Sequence, residues 1–280
     1  MTMPAFLTVA HLTLYDARRR KILTAAAICG AVFLAVFWTV SFFVARDLRL
    51  NPQPFVQRQI TLVILSLFGL YAANFLSVLL ASLLPVDALS GEIDSGVMQT
   101  LASKPVRRSD IVLGKWLGFG AVTVVYFLAL ATGVLAATRW IAGYQQLNIG
   151  IAIPLMVLEL VVMHTISIAG GTRLGTVTNG IMTLGLYGAA FIGGWVEQIG
   201  TLGGVYALRL VGIVVSLFSP ADTMWRLAAY YLQPDIVRSL GNAGPFAGGS
   251  VPSAAMVWWA LGFTVSALAF AIRSFHRRQL

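Results

Sequence analysis

Charged side chains are scarce in this chain, which has 280 residues of which only 10% are charged and 58% are hydrophobic. A soluble domain carries roughly 25% charged residues, because its surface must be covered by groups that water solvates. The composition therefore excludes a soluble globular protein, and the high apolar content also excludes a disordered chain. The class that remains is an all-α integral membrane protein.

Residues that bind metals or form disulfides are also few. Cys29 is the only cysteine and lies within an apolar run, so the chain can form neither an internal disulfide nor a cysteine-based metal site. The three histidines, His11, His164 and His276, are too scattered in the sequence to indicate a metal cluster. We therefore expect no metal site and no cofactor bound by this chain.

Motifs for catalysis and nucleotide binding are missing as well. No G-x-x-x-x-G-K-[ST] motif occurs, since Gly114-Lys115 is followed by Trp116 and lacks the upstream glycine. The chain therefore cannot cradle ATP phosphates by itself. The H-E-x-x-H metalloprotease motif and the G-x-S-x-G nucleophile elbow are also absent, so the sequence offers no catalytic residues.

Long apolar runs dominate what is present. A membrane-spanning helix needs about 20 apolar residues. Six windows meet this requirement, and we predict spans at about 22–45, 59–84, 112–138, 151–169, 181–200 and 254–272. Most prolines lie between these windows, and Pro154 is expected in the first turn of span four, where proline is tolerated. The sequence thus predicts a single membrane domain over residues 1–280.

Basic residues indicate the orientation of these spans. The net charge is +9, and Lys and Arg accumulate in cytoplasmic loops of membrane proteins. Six spans with the N-terminus inside place most of the 19 Lys and Arg residues on the cytoplasmic side. We therefore predict a multi-pass protein of the cell (inner) membrane with both termini in the cytoplasm, and no nucleic-acid partner.

The apolar stretch 201–219 fits this topology only if it does not cross the membrane. It contains Arg209 and begins with Gly203-Gly204. Counting it as a seventh span would move Arg273 and Arg277 outside, against the positive-inside rule. We predict a re-entrant or interfacial segment on the outer side, before span six.

Residues 3–17 precede the first span and its basic flank. Apolar residues recur there at helical spacing, at Phe6, Val9, Ala10, Leu14 and Ala17. This pattern predicts an amphipathic helix that lies in the inner interface. The alternative is an ordinary flank that anchors the first span.

The loop between spans two and three, residues 85–115, mixes acidic and basic residues. Its middle, 94–103, is predicted to form a short helix with Val97, Met98 and Leu101 on its apolar edge, and Pro105 ends it. A short amphipathic helix joined to two spans is suited to insert into a groove on a cytoplasmic partner. A solvated connecting loop is the alternative.

The same loop resembles the signature of ABC-2-type permeases. The resemblance covers the run from Glu92 to Leu101, then 104–108, then Leu113-Gly114-Lys115. It implies a coupling helix that contacts a separate ATPase subunit, which would bind ATP and Mg²⁺. The coupling contacts it implies are Glu92, Asp94, Gly96, Val97, Met98, Leu101, Lys104, Pro105, Arg107, Arg108 and Lys115.

A second resemblance covers residues 219–227. This stretch is similar to an outer-side segment with Asn-Pro, an aspartate and Arg-Leu in permeases that assist nitrous oxide reductase maturation, although Ser219 replaces the asparagine. It implies an outer-side motif of Pro220, Asp222 and Arg226. Binding of a partner protein on the outer side is one open alternative.

Two ionisable residues lie within span four. Glu159 and His164 are five residues apart, which places them about 140° apart around a helix, so they cannot share one face. Ionisable groups in a membrane are costly and often functional. Either each finds a partner in the bundle, or the two handle cargo or protons.

These observations together predict the permease subunit of an ATP-driven ABC transporter, which is not itself an enzyme. The resemblance implies export of an unidentified substrate, by a homodimer or a pair of related permeases that dock on ATPase subunits. The alternative is an ion-coupled secondary transporter or a channel without an ATPase partner. That alternative requires ionisable groups at mid-membrane, for which Glu159 and His164 are the candidates.

Overall fold

The described part of the chain is built from helices. The computed structural model describes residues 4–91, 107–239 and 251–277. The helices, in chain order, are α1 (Ala5–Ala17), α2 (Lys21–Leu50), α3 (Phe55–Leu83), α4 (Arg108–Trp140), α5 (Ile149–Gly171), α6 (Thr176–Leu202), α7 (Tyr206–Phe218), α8 (Ala221–Leu232), α9 (Asp235–Ser239) and α10 (Ala255–His276). Over these ranges the prediction of an all-α protein is confirmed.

Five of these helices, α2, α3, α4, α5 and α10, are long and apolar enough to cross a membrane. Each coincides with one of the predicted spans, so the prediction of a multi-pass membrane protein is confirmed. Helices α7 and α8 bend by 109° at their junction, and together they form either a broken sixth span or a re-entrant loop.

Helix α6 contains the predicted span 181–200 but is not among these five helices. It is less apolar because it carries Asn179, Glu197 and Gln198 as well as several glycines. Its 27 residues would extend about 40 Å at 1.5 Å per residue, which is enough to cross a hydrocarbon core of about 30 Å. The crossing by α6 therefore stays a prediction.

Prolines mark several helix starts. Pro4, Pro54 and Pro220 occupy the positions directly before α1, α3 and α8, where the missing N–H leaves no helical hydrogen bond unmade. Pro154 is the exception, because α5 begins at Ile149 and places this proline in the second turn. The sequence analysis expected Pro154 in the first turn because it started this span at residue 151. In the structure α5 starts earlier, directly after Asn148, which has a left-handed conformation with φ of 50°.

The bundle has central and peripheral spans. In α3 and α5, 56% of the most apolar window is buried, whereas the figure is 17% in α2 and α10. A helix that is apolar on all sides can be buried within the bundle or can face lipid. Thus α3 and α5 form the centre, and α2 and α10 expose apolar faces to lipid or to another protein.

Contacts between helix ends define one end of the bundle, which we call the basic end. Arg20 Nη1 donates to the Leu84 carbonyl (3.3 Å), joining the start of α2 to the end of α3. Arg108 Nη1 donates to the His276 carbonyl (2.9 Å), joining the start of α4 to the end of α10. Arg173, which follows α5, donates from Nε to Ser274 Oγ (2.9 Å). Leu84, Ile111 and Phe275 also share one buried apolar cluster, so the starts of α2 and α4 and the ends of α3, α5 and α10 lie at the same end of the bundle.

Helix α1 packs against α4 through two glycines. A Cβ added at Gly114 would lie 2.5 Å from Val9 Cβ, and one added at Gly118 would lie 2.7 Å from Thr13 Cβ. The residues that α1 buries are Ala10, Thr13 and Ala17, on the side of the helix that the sequence predicted to be apolar. The predicted N-terminal helix is therefore present, while its position at the membrane interface stays a prediction.

We expect Gly118→Ala to displace α1 and lower the free energy of unfolding by about 1–3 kcal/mol, as is typical when a methyl group is forced into a packed contact. A cysteine at Thr13, which is 6% exposed, should then react faster with maleimide. Gly262→Ala is the matched control, because its added Cβ would meet no atom within 4 Å. Equal labelling rates in the two backgrounds would contradict this close packing.

Candidate functional site

The whole of the predicted coupling helix, 94–103, falls outside the part of the chain that the structure describes. The coupling residues that lie outside the described ranges are Glu92, Asp94, Gly96, Val97, Met98, Leu101, Lys104 and Pro105. Arg107, Arg108 and Lys115 are described, as is the segment that leads into the predicted helix. This segment, residues 84–91, is named the junction segment below.

Lys115 and Arg20 hold the junction segment from two sides. The Lys115 side chain comes from α4, is only 5% exposed, and donates from Nζ to the Ala88 carbonyl. Arg20, just before α2, donates to the Leu84 carbonyl and pairs with the Asp87 carboxylate. Because a buried ammonium is costly unless it is hydrogen-bonded, the Lys115 contact is strongly favoured once the segment is in place.

The charge of Arg20 is well compensated. Its guanidinium also contacts Asp16, with 3.0 Å between Nη2 and Oδ2. Burial alone would lower the pKa of Arg20, but the carboxylates of Asp87 and Asp16 outweigh this effect and raise the pKa above its ordinary value. Arg20 therefore stays charged throughout the physiological pH range and ties α1 and the start of α2 to the junction segment.

Helix α6 holds the junction segment from a third side. Asn179 Nδ2 donates to the Val86 carbonyl (3.0 Å) and to the Ser167 carbonyl of α5 (2.9 Å). Ser90 Oγ and Thr176 Oγ1 share a hydrogen bond of 3.1 Å. The amide of Asn179 is fully buried, so any displacement of the segment from α6 would leave a polar group unsatisfied.

Arg107 and Arg108, which the sequence grouped together, have different surroundings. Arg107 is exposed at the start of α4. Arg108 donates to the Phe275 carbonyl (3.4 Å) as well as to the His276 carbonyl, and so caps the C-terminal end of α10. Of these two arginines, Arg107 is thus the one with an exposed side chain.

The outer-side motif forms a buried charge cluster at the opposite end of the bundle. Arg226 Nη1 lies 2.9 Å from Glu197 Oε2, and Arg226 Nε lies 2.9 Å from Asp222 Oδ2. Arg226 Nη2 also donates to Ser216 Oγ (3.3 Å), so α6, α7 and α8 meet at this guanidinium. Pro220 does not join the cluster and lies directly before α8.

Glu159 and His164 have different hydrogen-bond partners. Asn74 of α3 donates from Nδ2 to Glu159 Oε2 (2.8 Å), and Glu159 is fully buried. His164 Nε2 hydrogen-bonds with the Trp116 carbonyl of α4 (2.9 Å). Each therefore has a hydrogen-bond partner in the bundle, while a role for either residue in cargo or proton handling stays a prediction.

Sequence reasoning missed several of these polar groups. Arg20, Asn74, Asn179 and Glu197 were not among the predicted site residues, although each forms a buried or half-buried hydrogen bond or ion pair. The available signal was an amide or an acid within an otherwise apolar helix, because such groups need a partner in the protein. Within the described ranges, no group of three or more His, Cys, Asp or Glu side chains is arranged to hold a metal ion.

The fold is that of a multi-pass helical membrane protein. The family model described as ABC-2 family transporter protein matches residues 7–280. The chain belongs to this family, and the prediction of an ABC-2-type permease is confirmed.

One relative is similar over part of the chain. A stretch of 138 residues is 28% identical to the probable ABC transporter permease protein NosY of Pseudomonas aeruginosa. The match covers 48% of this chain and 47% of that protein, so the chain spans about half the length of the curated relative it matches. This similarity supports the second resemblance noted in the sequence.

Proposed function

We propose that the chain is the permease subunit of an ATP-driven exporter whose ATPase is a separate polypeptide. The partner subunit binds ATP and Mg²⁺, and its closure displaces the segment that follows residue 91. The permease contributes two arrangements of its helices, and the partner favours one of them in each nucleotide state.

The observation that carries this proposal is the threefold attachment of the junction segment. Arg20 links it to α1 and α2, Lys115 links it to α4, and Asn179 links it to α5 and α6. A force applied to the adjacent segment therefore reaches helices on several sides of the bundle through short polar contacts. A merely solvated connecting loop would not need these buried contacts.

The charge distribution supports a cytoplasmic position for the basic end. Cationic side chains surround this end of the bundle, namely Arg18, Arg19, Arg20, Lys21, Arg107, Arg108, Lys115, Arg173, Arg273 and Arg277. Lys and Arg accumulate on the cytoplasmic side of membrane proteins. We propose that the protein lies in the cell (inner) membrane, with the basic end and both termini on the cytoplasmic side. In this topology α6 is the fifth of six spans.

The assembly we propose contains two permeases, either identical or related. The exposed apolar faces of α2 and α10 supply surface for a second copy. An outer-side partner protein would contact the surface around α7 and α8, because Asp222 and Arg226 are themselves buried and shape this region from within.

The direct test is purification of the tagged chain from native membranes, followed by an assay of ATP hydrolysis. We expect a second polypeptide to co-purify and to hydrolyse ATP in a vanadate-sensitive reaction. Reconstituted permease that moves a solute down an ion gradient without any ATPase would contradict the proposal and favour a secondary transporter.

We expect Arg107→Glu to uncouple ATP hydrolysis from transport while leaving membrane insertion unchanged. The exposed guanidinium lies where the partner should dock, and reversal of a charge at an interface costs several kcal/mol. The measurement is the ratio of transported substrate to hydrolysed ATP in proteoliposomes. Arg139→Glu, in the last turn of α4 at the opposite end, is the control. An unchanged ratio in Arg107→Glu would remove this arginine from the coupling surface.

A further inference from the structure

A pocket with two arginines lies at the end of the bundle opposite the basic end. It is a cavity of about 340 Å³ between the last turns of α2, the first turn of α3 and the end of α4. Arg49 and Arg58 line it, together with Trp140 and an apolar wall that includes Ala45 and Leu48. This volume falls in the range of about 300–1,000 Å³ that is usual for small-ligand sites.

The positive charge of this pocket is not neutralised by an acidic lining residue. Arg49 Nη2 donates to the Ile141 carbonyl (3.4 Å), which uses one of its five N–H donors. Among the described residues, no hydrogen bond or ion pair engages the side chain of Arg58. The nearest acid in the sequence, Asp47, does not line the pocket, and its carboxylate accepts a hydrogen bond from Asn51 (2.8 Å).

The position of Trp140 places the pocket at the level of lipid headgroups. Trp140 is the last residue of α4, is 74% exposed, and packs edge-on against Trp38 with ring centroids 6.4 Å apart. Exposed tryptophans at the ends of membrane spans lie at the interface between water and hydrocarbon. A headgroup in the pocket would thus have acyl chains that continue along the exposed apolar face of α2.

We propose that this pocket binds the headgroup phosphate of an anionic phospholipid. Guanidinium groups bind phosphate through paired hydrogen bonds, and the two arginines that line this small cavity have nine N–H donors left after the bond to Ile141. A zwitterionic lipid also carries a phosphate, but its ammonium group would enter a site that already holds two cations. The apolar wall and Trp140 favour a lipid over free phosphate, because they contact hydrocarbon that a free anion lacks.

The test is a lipid titration of the purified full-length chain, followed by thermal unfolding. Phosphatidylglycerol should stabilise the protein in a saturable way and at about tenfold lower concentration than phosphatidylcholine. The Arg49→Ala/Arg58→Ala variant should require at least about tenfold more phosphatidylglycerol, because a hydrogen bond between an arginine of the pocket and the phosphate contributes about tenfold or more to affinity. Retention of the lipid should be confirmed by native mass spectrometry.

The matched control is Arg46→Ala/Arg139→Ala, which removes two exposed cations from the same end without altering the pocket lining. Its half-saturation should stay within about twofold of the wild type, as expected if surface charge alone contributes little. If the pocket variant does not fold, Arg58→Ala alone serves, with an expected loss of about tenfold from the lost hydrogen bond to phosphate.

Several outcomes would overturn the proposal. Equal responses to the two lipids would exclude charge recognition, and equal losses in the two double variants would indicate diffuse attraction. Stabilisation by millimolar inorganic phosphate through the same arginines would indicate a site for soluble anions. Conversion of a dimer into monomers by the pocket variant would identify a second copy of the chain as the occupant. None of these outcomes depends on an ATPase partner, so the proposed function is tested separately.

Discussion

Arg226→Leu is expected to lower the free energy of unfolding by about 3–5 kcal/mol, which is the typical cost of removing one partner from a buried ion pair. The substitution leaves the carboxylates of Glu197 and Asp222 without their shared cation, in side chains that are only 11% and 10% exposed. Unfolding in mixed detergent micelles can be followed by tryptophan fluorescence, because Trp225 is 3% exposed and adjacent.

Two variants separate this effect from a general loss of positive charge. Arg209→Leu removes an exposed arginine from α7 and should cost less than about 1 kcal/mol. Adding Glu197→Gln and Asp222→Asn to Arg226→Leu removes all three charges and should restore at least half of the lost stability, because neutral amides are cheaper to bury than carboxylates. If Arg226→Leu cost no more than Arg209→Leu, the cluster would not hold α8 against α6.

Lys115→Met is expected to release the junction segment. Methionine is similar in length and apolar, so α4 should still pack, but the hydrogen bond to the Ala88 carbonyl is lost. A hydrogen bond to a charged group contributes about 1.5–3 kcal/mol, so backbone amides of residues 84–91 should exchange with solvent about 10- to 100-fold faster. Hydrogen exchange with mass spectrometry measures this change, and coupled transport should fall in parallel.

Lys21→Met is the matched control for this experiment. Lys21 is exposed at the start of α2, at the same end of the bundle, and its replacement should leave exchange in the junction segment unchanged. Faster exchange in both variants would indicate a general loosening of the basic end. Unaltered exchange in Lys115→Met would mean that the contacts of Arg20 and Asn179 suffice to hold the segment.

Local features of the sequence predicted much of the fold. The long apolar windows predicted helices that include α2, α3, α4, α5 and α10, because about 20 consecutive apolar residues can be stabilised only as a helix in lipid. The spacing in residues 3–17 predicted α1, which begins after Pro4. These predictions succeeded because each depends on residues close together in the chain.

The stretch after α6 shows where local reasoning falls short. The sequence predicted a re-entrant or interfacial segment at 201–219, and this range contains α7. The prediction did not include α8, which meets α7 at an angle of 109°. The sharp bend at Ser219-Pro220 brings Arg226 to Glu197, which lies 29 residues earlier. The predicted position of the stretch 201–219, on the outer side and without crossing the membrane, stays a prediction.

The sequence by itself determined the class of the protein, its apolar helices and the loop that identifies its family, because composition, periodicity and motifs are local properties. Only the tertiary structure decided which polar residues work together. Arg20 with Asp87, Asn74 with Glu159, and Asn179 with Val86 are separated by 67, 85 and 93 positions. Such pairs form because a polar group buried among packed helices must bond to whichever partner the fold places beside it. The order of residues along the chain does not show which distant residues become neighbours in space.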